Sequence, residues 1–347
     1  MKKIVELIIY RLFTLLNKAK SWLMSHEIWY RIKNREIFSD LFEQEKMLAD
    51  QSRNEAYYSA ISKYVKPGTT VLDLGTGSGI LSFFAAQQSP AKVYAIDHSA
   101  IIKTAERIAT YNRLENIEFI QTHSKKFTAD TKVDVIIHEQ LGDFLFNEDV
   151  VNNVLDLRDR VLKKGGIILP SRFEIFIEPV KIKDNRFVPF ISEQKIHGID
   201  FSCLADVHPQ SRRYDRLWSR DASFIDYFLC DRERIFFCDL KTFHKEDLPR
   251  ELKYSKVIKK GGRLDGFIFY FNVIFDDEIS FTTGPAENRA QNWAYWIFRV
   301  KAGYFQPDET IDFKITIGHW LNIDSWQWQY AKGSGQSEGG SSPSGLS

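Results

Sequence analysis

Between residues 66 and 170, short apolar runs alternate with helical patterns, and this alternation restricts the possible folds more than any other feature of the 347-residue chain. The apolar runs have the length of strands and lie at residues 69–74, 92–97, 117–120, 133–137 and 166–169. The helical patterns lie between them, at residues 80–87, 101–111 and 149–162. Alternation of this kind is typical of a parallel sheet with helices on both faces. We therefore predict an α/β, doubly wound, Rossmann-like domain over residues 38–170.

The pattern changes after Pro170, where β-rich segments follow one another with few long helical stretches. Examples of these segments are Glu174–Pro179, Phe267–Phe275 and Thr310–Ile317. Strands without intervening helices favour an antiparallel sheet or barrel, so we predict a β-barrel-like domain over residues 171–330. Residues 331–347 contain five glycines and six serines, which predicts a disordered, flexible tail.

Residues 1–37 form a separate unit, which we predict to be a basic amphipathic helical segment. Its first 35 residues carry eight lysines and arginines but only two acidic residues, and apolar residues recur at helical spacing. The apolar run from Ile4 to Leu16 contains Glu6 and Arg11, and it is shorter than the roughly 20 residues of a membrane span. Two interpretations stay open. The segment contacts a membrane surface weakly, or it packs on this protein or on a second subunit.

The charge balance and the cysteine count exclude several classes of function. The chain has 47 lysines and arginines against 46 aspartates and glutamates, so it has no overall positive field to bind nucleic acid. Its three cysteines, Cys203, Cys230 and Cys238, match neither a disulfide framework nor the spacing of a zinc site. We therefore predict a cytoplasmic protein with reduced thiols, no metal and no nucleic-acid partner.

A glycine-rich turn connects the first predicted strand to the first predicted helix. Gly75, Gly77 and Gly79 form the pattern G-x-G-x-G, and glycine lets a ligand lie against bare backbone. Residue 80 is Ile80 instead of the last glycine of the dinucleotide pattern, which favours a nucleoside without a pyrophosphate. Asp97 ends the second strand, where its carboxylate can accept two hydrogen bonds from a ribose diol. These features predict S-adenosylmethionine as the cofactor, and the alternative is a tight turn beside a surface aspartate.

Two glutamates follow the predicted strand at residues 133–137. Glu139 and Glu148 lie nine residues apart, and Gly142 between them permits a sharp bend. In a doubly wound sheet, ligands bind beyond the carboxyl ends of the strands. A pair of carboxylates suits a planar guanidinium, which presents five N–H donors in a fixed fork. The two glutamates are therefore candidates to bind a guanidinium together. The alternative is that Glu148 only stabilises the start of the helix predicted to follow it.

Further blocks of the chain match one known pattern in the same order. They read MLADQSR from Met47, VLDLGTGSGIL from Val71, Leu169–Pro170, GIDFSC from Gly198, FYFNVIF from Phe269 and FTTGP from Phe281. Together with the spacing of Glu139 and Glu148, these blocks resemble the protein arginine methyltransferases over roughly residues 38–320.

This resemblance implies a site, a fold and an assembly. It implies that Arg53 holds the carboxylate of the cofactor and that Glu139 and Glu148 hold the acceptor. The other residues implied to bind S-adenosylmethionine are Met47, Asp73, Gly75, Gly77, Gly79, Asp97 and Ser124. His138 is a catalytic candidate as a proton acceptor, with a structural histidine at a strand end as the alternative.

The same resemblance implies a helical arm that supports a homodimer, and we place this arm near residues 200–245. Five aromatic residues there predict an exposed interface: Tyr214, Trp218, Phe224, Tyr227 and Phe228. The alternative is that these aromatic side chains fill the core of the barrel.

The chain departs from the family pattern mainly on the acceptor side. Gln291-Asn292-Trp293 stands where the family has Thr-His-Trp, Lys125 stands in place of a glutamate that contacts adenine, and Gln44 in place of a histidine. We predict methyl transfer to nitrogen, with the arginine of a protein or peptide as the first candidate acceptor. Two alternatives stay open: N- or O-methylation of a small-molecule metabolite on the same scaffold, and a catalytically degenerate dimeric scaffold.

Overall fold

The computed structural model of the protein describes residues 40–205, 216–287, 289–333 and 340–341. Its first half contains a five-stranded parallel sheet made of β1 (Thr70–Leu74), β2 (Lys92–Asp97), β3 (Ile117–Gln121), β4 (Val133–His138) and β5 (Leu162–Leu169). The strands lie in the order β3-β2-β1-β4-β5. Because this order reverses between β1 and β4, a crevice forms beyond the carboxyl ends of these two strands.

Five α-helices accompany the sheet in the described part of the chain: α1 (Leu41–Ala49), α2 (Gln51–Tyr64), α3 (Ile80–Ala86), α4 (Ile102–Tyr111) and α5 (Val150–Val161). Helices α1 and α2 precede the sheet, and a single residue, Asp50, separates them. The Asp50 carboxylate accepts a hydrogen bond from the backbone N–H of Arg53 at 3.3 Å and caps α2. Aspartate is favoured at this position because the first N–H groups of a helix lack partners within it.

The second half is antiparallel and begins directly after the cis peptide bond between Leu169 and Pro170. Its longer strands are β6 (Arg172–Ile182), β12 (Glu251–Val257), β13 (Gly262–Ile274), β15 (Tyr295–Phe305), β16 (Thr310–His319) and β17 (Asn322–Lys332). Its shorter strands are β7 (Lys195–Ile196), β8 (Ile199–Asp200), β9 (Arg216–Ser219), β10 (Ile225–Phe228), β11 (Phe236–Asp239), β14 (Ser280–Thr282) and β18 (Gly340–Ser341). A seven-stranded sheet runs β10-β6-β13-β15-β9, with β11 paired to β6 and β14 to β13, and a four-stranded sheet runs β12-β16-β17-β18.

Strand β13 lies in the middle of the seven-stranded sheet and is buried on both faces. Phe267, Phe269 and Phe271 face the main core, whereas Ile268 and Tyr270 belong to a second cluster on the opposite face. Side chains alternate across a strand, so burial of both sets requires cover on both sides of the sheet. The main core is continuous across the parallel sheet and the barrel-like half, which fixes the two halves against each other.

This architecture confirms the predicted fold class, a Rossmann-like parallel sheet followed by a curled antiparallel one. Strand β5 ends at Leu169 and β6 begins at Arg172, so the chain passes from the parallel to the antiparallel sheet at residues 170–171. No helix in the described part of the chain is long and apolar enough to cross a bilayer.

The structure shows no helical arm in the described part of the segment where we predicted one. Residues 200–205 and 216–245, the described part of that segment, form strands and short 3₁₀ turns, without an α-helix. Phe224 is buried in the second core cluster, Tyr227 and Phe228 are half-buried, and Trp218 is exposed. These aromatic residues therefore belong mostly to the sheet. The physical reason is that β10 pairs with β6, which packs Tyr227 and Phe228 against the core clusters. Strand β9 pairs with β15 and leaves Trp218 exposed.

Two further predictions concern the ends of the chain. Residues 331 and 332, assigned to the tail from composition, are instead the end of β17, because β17 continues its pairing with β16 to Lys332. Gly340–Ser341 pair with Gln329 and Tyr330 as a short strand. Gly333 is also described, and its N–H donates to the carbonyl of Thr310 at 2.7 Å. Residues 334–339 and 342–347 of the predicted tail lie outside the described residues, and so do the N-terminal basic segment (residues 1–37) and Tyr214.

Candidate active site

The crevice beyond β1 and β4 brings together seven of the eleven site residues predicted from sequence. These seven residues line one pocket: Met47, Arg53, Gly75, Gly77, Asp97, Glu139 and Glu148. They come from α1, α2, the turn after β1, the end of β2 and the segment after β4. The carboxyl ends of parallel strands meet at one edge of a sheet, which is why residues so far apart in sequence converge here.

The glycine turn forms one wall of the pocket. Gly75 and Gly77 have φ angles of 75° and 55°, in the left-handed region that other residues adopt at a cost. A Cβ atom on Gly77 would lie 2.9 Å from Oε1 of Gln44, so any side chain there would displace the end of the Gln44 side chain. Asp97 accepts hydrogen bonds from the backbone N–H groups of Gly77 (3.1 Å) and Ser99 (2.8 Å), which holds its carboxylate beside the turn.

Three other residues predicted to bind the cofactor support the pocket without lining it. Asp73 is fully buried, and its Oδ2 accepts hydrogen bonds from the hydroxyls of Thr76 (2.8 Å) and Ser82 (2.6 Å). Burial raises the pKa of Asp73 to about 6, although both hydroxyls oppose this shift. Gly79 begins α3 at a φ of 98°, and a Cβ atom there would lie 2.3 Å from the Phe83 ring. These two residues therefore shape the turn and the helix that follows it.

Ser124 lies behind the pocket wall. Its hydroxyl donates to Oδ1 of Asn153 at 3.3 Å, and Nδ2 of Asn153 donates to Oε1 of Gln140 at 3.1 Å. Gln140 lines the pocket, so these two amide side chains connect Ser124 to it. Lys125, at the family's adenine-contacting position, is exposed.

Arg53 is 96% buried and joins helix α2 to the segment after β4. Its guanidinium donates to Oε2 of Glu139 at 3.2 Å, to the carbonyl of Met47 at 2.7 Å and to Oδ1 of Asn54 at 3.0 Å. Its Nε is buried, and none of the described residues accepts from it. A buried N–H without an acceptor is costly, so this site fits an anionic ligand group that accepts from Arg53.

Glu139 and Glu148 face the same pocket, as their spacing predicts. Burial raises the pKa of Glu139 to about 7, although the nearby Arg53 guanidinium opposes this shift. The pKa of Glu148 lies well above its usual value because the carboxyl is buried, and the charges of Glu139 and Asp143 add to this effect. The N-cap residue of α5 is Asp149, and Glu148, one residue before it, lines the pocket. Two carboxyl groups with raised pKa values in one pocket are suited to a cation, because a cation restores their ionised form.

His138 is not placed where a proton acceptor is needed. The side chain is fully buried, and its Nε2 lies 2.8 Å from the carbonyl of Pro170. Burial lowers the pKa of His138 to about 4, so the ring is neutral at physiological pH. A neutral ring beside a carbonyl donates its proton to that carbonyl. The catalytic role predicted for His138 is therefore corrected to a structural one at the end of β4.

The segment that carries the two glutamates, residues 139–148, is called the carboxylate loop below. The loop turns at Gly142, whose carbonyl accepts from the N–H of Leu145 at 2.8 Å. Oδ1 of Asn147 accepts from the N–H of Phe144 at 2.9 Å, and a Cβ atom on Gly142 would collide with the Asn147 side chain. These contacts close the loop on itself and present both glutamates on the pocket side.

The barrel-like half holds the carboxylate loop in place. Phe144 packs against Phe269 and Trp326, with ring centroids 5.2 Å and 5.3 Å away. Two indole N–H groups also bind the loop: Trp293 donates to the carbonyl of Leu141 at 2.6 Å, and Trp296 donates to Oδ2 of Asp143 at 3.0 Å. The position of the two glutamates therefore depends on both halves of the molecule.

A second loop, residues 290–293, contains Asn292, which stands where the family pattern has a histidine. The backbone N–H groups of Gln291 and Asn292 donate to Oδ2 of Asp50 at 2.8 Å and 2.9 Å. Arg289 donates to the carbonyls of Ala290 and Trp293 at 3.1 Å each. Backbone groups thus make the connection to Asp50, without an imidazole.

Sequence reasoning did not assign a role in the pocket to Gln44 or His98, although both line it. Gln44 lies on α1, is 5% exposed, and accepts a hydrogen bond from the N–H of Ser78 at 3.0 Å through Oε1. The available signal for Gln44 was its match to a histidine of the family pattern. His98 directly follows Asp97 at the end of β2, and no motif singles it out. Among the described residues, no cluster of acidic, histidine or cysteine side chains could hold a metal ion.

Comparison with known families gives two matches that together span most of the described chain. A family model described as "Methyltransferase domain" matches residues 65–197. A model described as "Arginine methyltransferase oligomerization subdomain" matches residues 172–321. The second model begins at residue 172, which is the first residue of β6.

Curated relatives agree with these matches. Protein arginine N-methyltransferase 1 of Schizosaccharomyces pombe is 31% identical over 296 residues, which is 81% of this chain and 84% of that protein. Protein arginine N-methyltransferase 6 of Danio rerio is 38% identical over 174 residues, and this match spans 49% of the chain and half of the zebrafish protein's length.

Solved structures share the fold. Protein arginine methyltransferase 10 of Arabidopsis thaliana superimposes with a TM-score of 0.73 at 24% identity, over 87% of this chain and 97% of the other. A Trypanosoma brucei enzyme–prozyme heterotetramer described as a complex with AdoHcy gives a TM-score of 0.74 at 22% identity, with the same coverage.

Proposed function

The chain belongs to the protein arginine methyltransferase family, and we propose that it transfers a methyl group from S-adenosylmethionine to a guanidinium nitrogen of a protein or peptide arginine. The observation that carries this proposal is the convergence of Arg53, Glu139 and Glu148 on one pocket beside the glycine turn. Arg53 offers a cation to the carboxylate of a ligand, and the two glutamates offer carboxyl groups to a cationic acceptor.

The residues of the pocket fit the proposed cofactor. Its sulfonium supplies an electrophilic methyl group, so the protein has mainly to bind and align the two reactants. Asp97 presents carboxylate oxygens suited to a ribose diol, and Gly75 and Gly77 line the same pocket without side chains of their own. The unpartnered Nε of Arg53 is suited to a carboxylate at the amino-acid end.

Glu139 and Glu148 are proposed to bind the guanidinium of the acceptor. An arriving cation lowers the pKa values of both carboxyl groups, which ionise and hold the guanidinium plane by paired hydrogen bonds. The two carboxylates attract the positive charge towards the bound nitrogens and leave the attacking nitrogen with more of its lone pair. Because His138 is buried and neutral, the proton released from nitrogen is proposed to leave through solvent or a carboxylate of the pocket.

A direct test is transfer of tritiated methyl from labelled cofactor into arginine-containing peptides, compared with transfer into a metabolite extract. We expect label in peptides, recovered as methylarginine after hydrolysis. Label only in small molecules would support the small-molecule alternative instead. Binding of S-adenosylhomocysteine without any transfer, or no binding at all, would support the degenerate scaffold.

We also propose that the protein is a homodimer, as the description of the second family model suggests. Four apolar side chains between residues 188 and 199 are about half exposed: Val188 (48%), Ile191 (53%), Ile196 (49%) and Ile199 (64%). Contiguous exposed apolar side chains commonly mark an interface. Light scattering at micromolar concentration should give twice the chain mass of 40.5 kDa, and a monomer would contradict this proposal.

A further inference from the structure

The first 35 residues of the chain carry a net positive charge that the remaining residues do not share. They contain eight lysines and arginines against two glutamates, a net charge of +6. The other 312 residues contain 39 basic residues against 44 acidic ones, a net charge of −5. A basic end on an otherwise acidic chain is typical of a segment that binds an anionic partner, and the proposed methyl transfer assigns it no role.

The sequence of this segment separates apolar from basic residues on the two sides of a predicted helix. At 100° per residue, an arc of about 140° contains only apolar residues between positions 4 and 24. They are Ile4, Val5, Ile8, Ile9, Leu12, Leu15, Leu16, Ala19, Trp22 and Leu23. The rest of the circumference contains Lys2, Lys3, Glu6, Arg11, Thr14, Asn17, Lys18, Lys20 and Ser21, together with Leu7, Tyr10, Phe13 and Met24. This division is the pattern of a helix that lies in the interface of a membrane.

An anionic lipid surface uses both sides of this pattern. Its acyl boundary accepts the apolar side chains, and its headgroups attract the lysines and arginines at the same time. A nucleic acid would attract the basic side but leave the apolar arc in water. A protein surface would cover the apolar arc but would not require five basic residues outside it. The pattern therefore favours a membrane with anionic lipids as the partner.

The described part of the chain shows where this segment attaches, although residues 1–39 themselves lie outside it. Helix α1 begins at Leu41, directly after its N-cap residue Asp40, and lines the cofactor pocket with Met47. The helical rise from Leu41 to Met47 is about 9 Å. Leu41 and Phe42 are 56% and 61% exposed, so the attachment point lies on the surface. A segment bound to lipid would therefore hold the pocket close to the membrane.

We propose that residues 1–37 bind an anionic lipid surface and hold the methyl-transfer pocket beside it. Residues 38–40 connect this segment to α1 and span at most about 11 Å. The acceptor class that follows is an arginine in a protein or peptide that is itself at the membrane. Lipid binding is independent of the proposed function, whereas the acceptor class rests on it.

The first test is flotation of the full chain with two kinds of vesicle. One kind is pure phosphatidylcholine, and the other contains about 30% phosphatidylserine. We expect the bound fraction to correspond to at least tenfold tighter binding to the anionic vesicles. The difference should shrink in about 0.5 M NaCl, which screens the headgroup charge.

Two sets of substitutions in the full chain separate the contributions of the two sides. Replacing Leu12 and Leu16 with Gln should weaken binding to both kinds of vesicle, because it removes apolar side chains from the arc. Replacing Lys3, Arg11 and Lys18 with Gln should weaken binding to the anionic vesicles by about tenfold or more and leave the weak binding to pure phosphatidylcholine unchanged. Thermal melting followed by circular dichroism checks that both variants fold.

Three exposed lysines of the parallel-sheet half supply the matched control. Replacing Lys126, Lys132 and Lys164 with Gln removes the same charge from the chain but leaves the N-terminal segment intact. This variant should bind the anionic vesicles like the unmodified chain. Equal losses in the two triple variants would overturn the proposal. The same holds if the unmodified chain binds neither kind of vesicle, binds both equally, or binds a short nucleic-acid duplex and no vesicles.

The second test measures methyl transfer to an arginine peptide carried on a palmitoyl chain in the same vesicles. We expect an initial rate about tenfold higher on the anionic vesicles, because binding raises the effective concentration of the enzyme at the peptide. The variant at residues 3, 11 and 18 should lose this advantage but methylate the soluble peptide normally. Equal rates on the two kinds of vesicle would overturn the placement of the pocket beside the lipid. Failure to methylate even the soluble peptide would instead contradict the proposed function.

Discussion

The indole N–H of Trp293 donates a 2.6 Å hydrogen bond to the backbone carbonyl of Leu141, across 152 residues of sequence. Leu141 is two residues beyond Glu139, so the barrel-like half directly sets the path of the loop that carries both glutamates. A buried carbonyl that loses its donor costs about 1–3 kcal/mol, which is enough to shift a loop. The catalytic geometry is therefore a property of the whole chain and not of the parallel-sheet half alone.

Replacing Trp293 with Phe should lower kcat by about tenfold, because the ring still packs but the Leu141 carbonyl loses its donor. Affinity for S-adenosylhomocysteine should remain within about threefold of the original value, since Trp293 does not line the pocket. Trp328→Phe is the matched control, because its indole donates to the carbonyl of Arg299 within the barrel-like half. Equal losses of kcat in the two variants would contradict a specific role for Trp293.

Replacing Arg53 or Asp97 with Ala should weaken cofactor binding by about tenfold or more, because each loses a charged hydrogen bond worth roughly 1.5–3 kcal/mol. Isothermal titration with S-adenosylmethionine measures this effect. Arg234→Ala is a suitable control, since that arginine pairs with Glu174 on the surface of the barrel-like half. Unchanged affinity in both pocket variants would show that the cofactor lies elsewhere.

Replacing Glu148 with Gln should reduce the single-turnover rate of methyl transfer by about two orders of magnitude, the size of one preorganised electrostatic contact. Glutamine keeps the shape of the side chain but removes the charge that opposes the guanidinium. Cofactor affinity should barely change, and Glu118→Gln, on the surface beside Lys92, should have no effect on the rate. A large loss for Glu139→Gln without any loss for Glu148→Gln would favour a neutral small-molecule acceptor.

The pH dependence of kcat/KM should report the carboxyl group of Glu139. Burial raises its pKa to about 7 in the protein without acceptor, so the group is mostly neutral below that pH and ionised above it. Only the ionised form attracts a guanidinium, and kcat/KM for the arginine peptide should therefore rise as pH increases through about 7.

The matched control for the pH profile is Glu178→Gln. Burial also raises the pKa of Glu178 to about 7, but this residue lies in the barrel-like half beside Lys256. The rise in kcat/KM should persist in this variant and disappear in Glu139→Gln. A flat profile between pH 6 and 8 in the unmodified chain would contradict the assignment.

Lys256 and Glu178 form a buried ion pair that we expect to matter for stability. Nζ of Lys256 donates to both carboxylate oxygens of Glu178, at 2.8 Å and 2.7 Å, and the two side chains are 6% and 0% exposed. Lys256→Met should lower the free energy of unfolding by about 3–5 kcal/mol, because it leaves a buried carboxyl group without its partner. Urea denaturation measures the change.

The double variant Lys256→Met with Glu178→Leu should recover much of that loss, because no unpaired charge remains. Lys314→Met removes a more exposed lysine, paired with Glu251 on the outside of the same half, and should have little effect. Similar losses for the two single lysine variants would contradict the importance of burial.

Local patterns in the sequence were enough to predict the fold class and part of the pocket. Hydrophobic periodicity distinguishes strands from helices, and the glycines at 75, 77 and 79 indicate the turn. The structure keeps this order, although β5 begins at Leu162, four residues before its predicted start. The carboxylate spacing likewise placed Glu139 and Glu148 in one pocket.

Contacts between distant segments were decided only by the tertiary structure. His138 and Glu139 are neighbours in sequence, yet His138 ends β4 and is buried against Pro170, whereas Glu139 begins the carboxylate loop and lines the pocket. The link from Asp50 to the amides of Gln291 and Asn292 has no sequence signal, because any residue supplies a backbone N–H. The sequence determined which elements form and where ligand-binding groups stand along the chain, whereas packing of the two halves determined which of those groups meet.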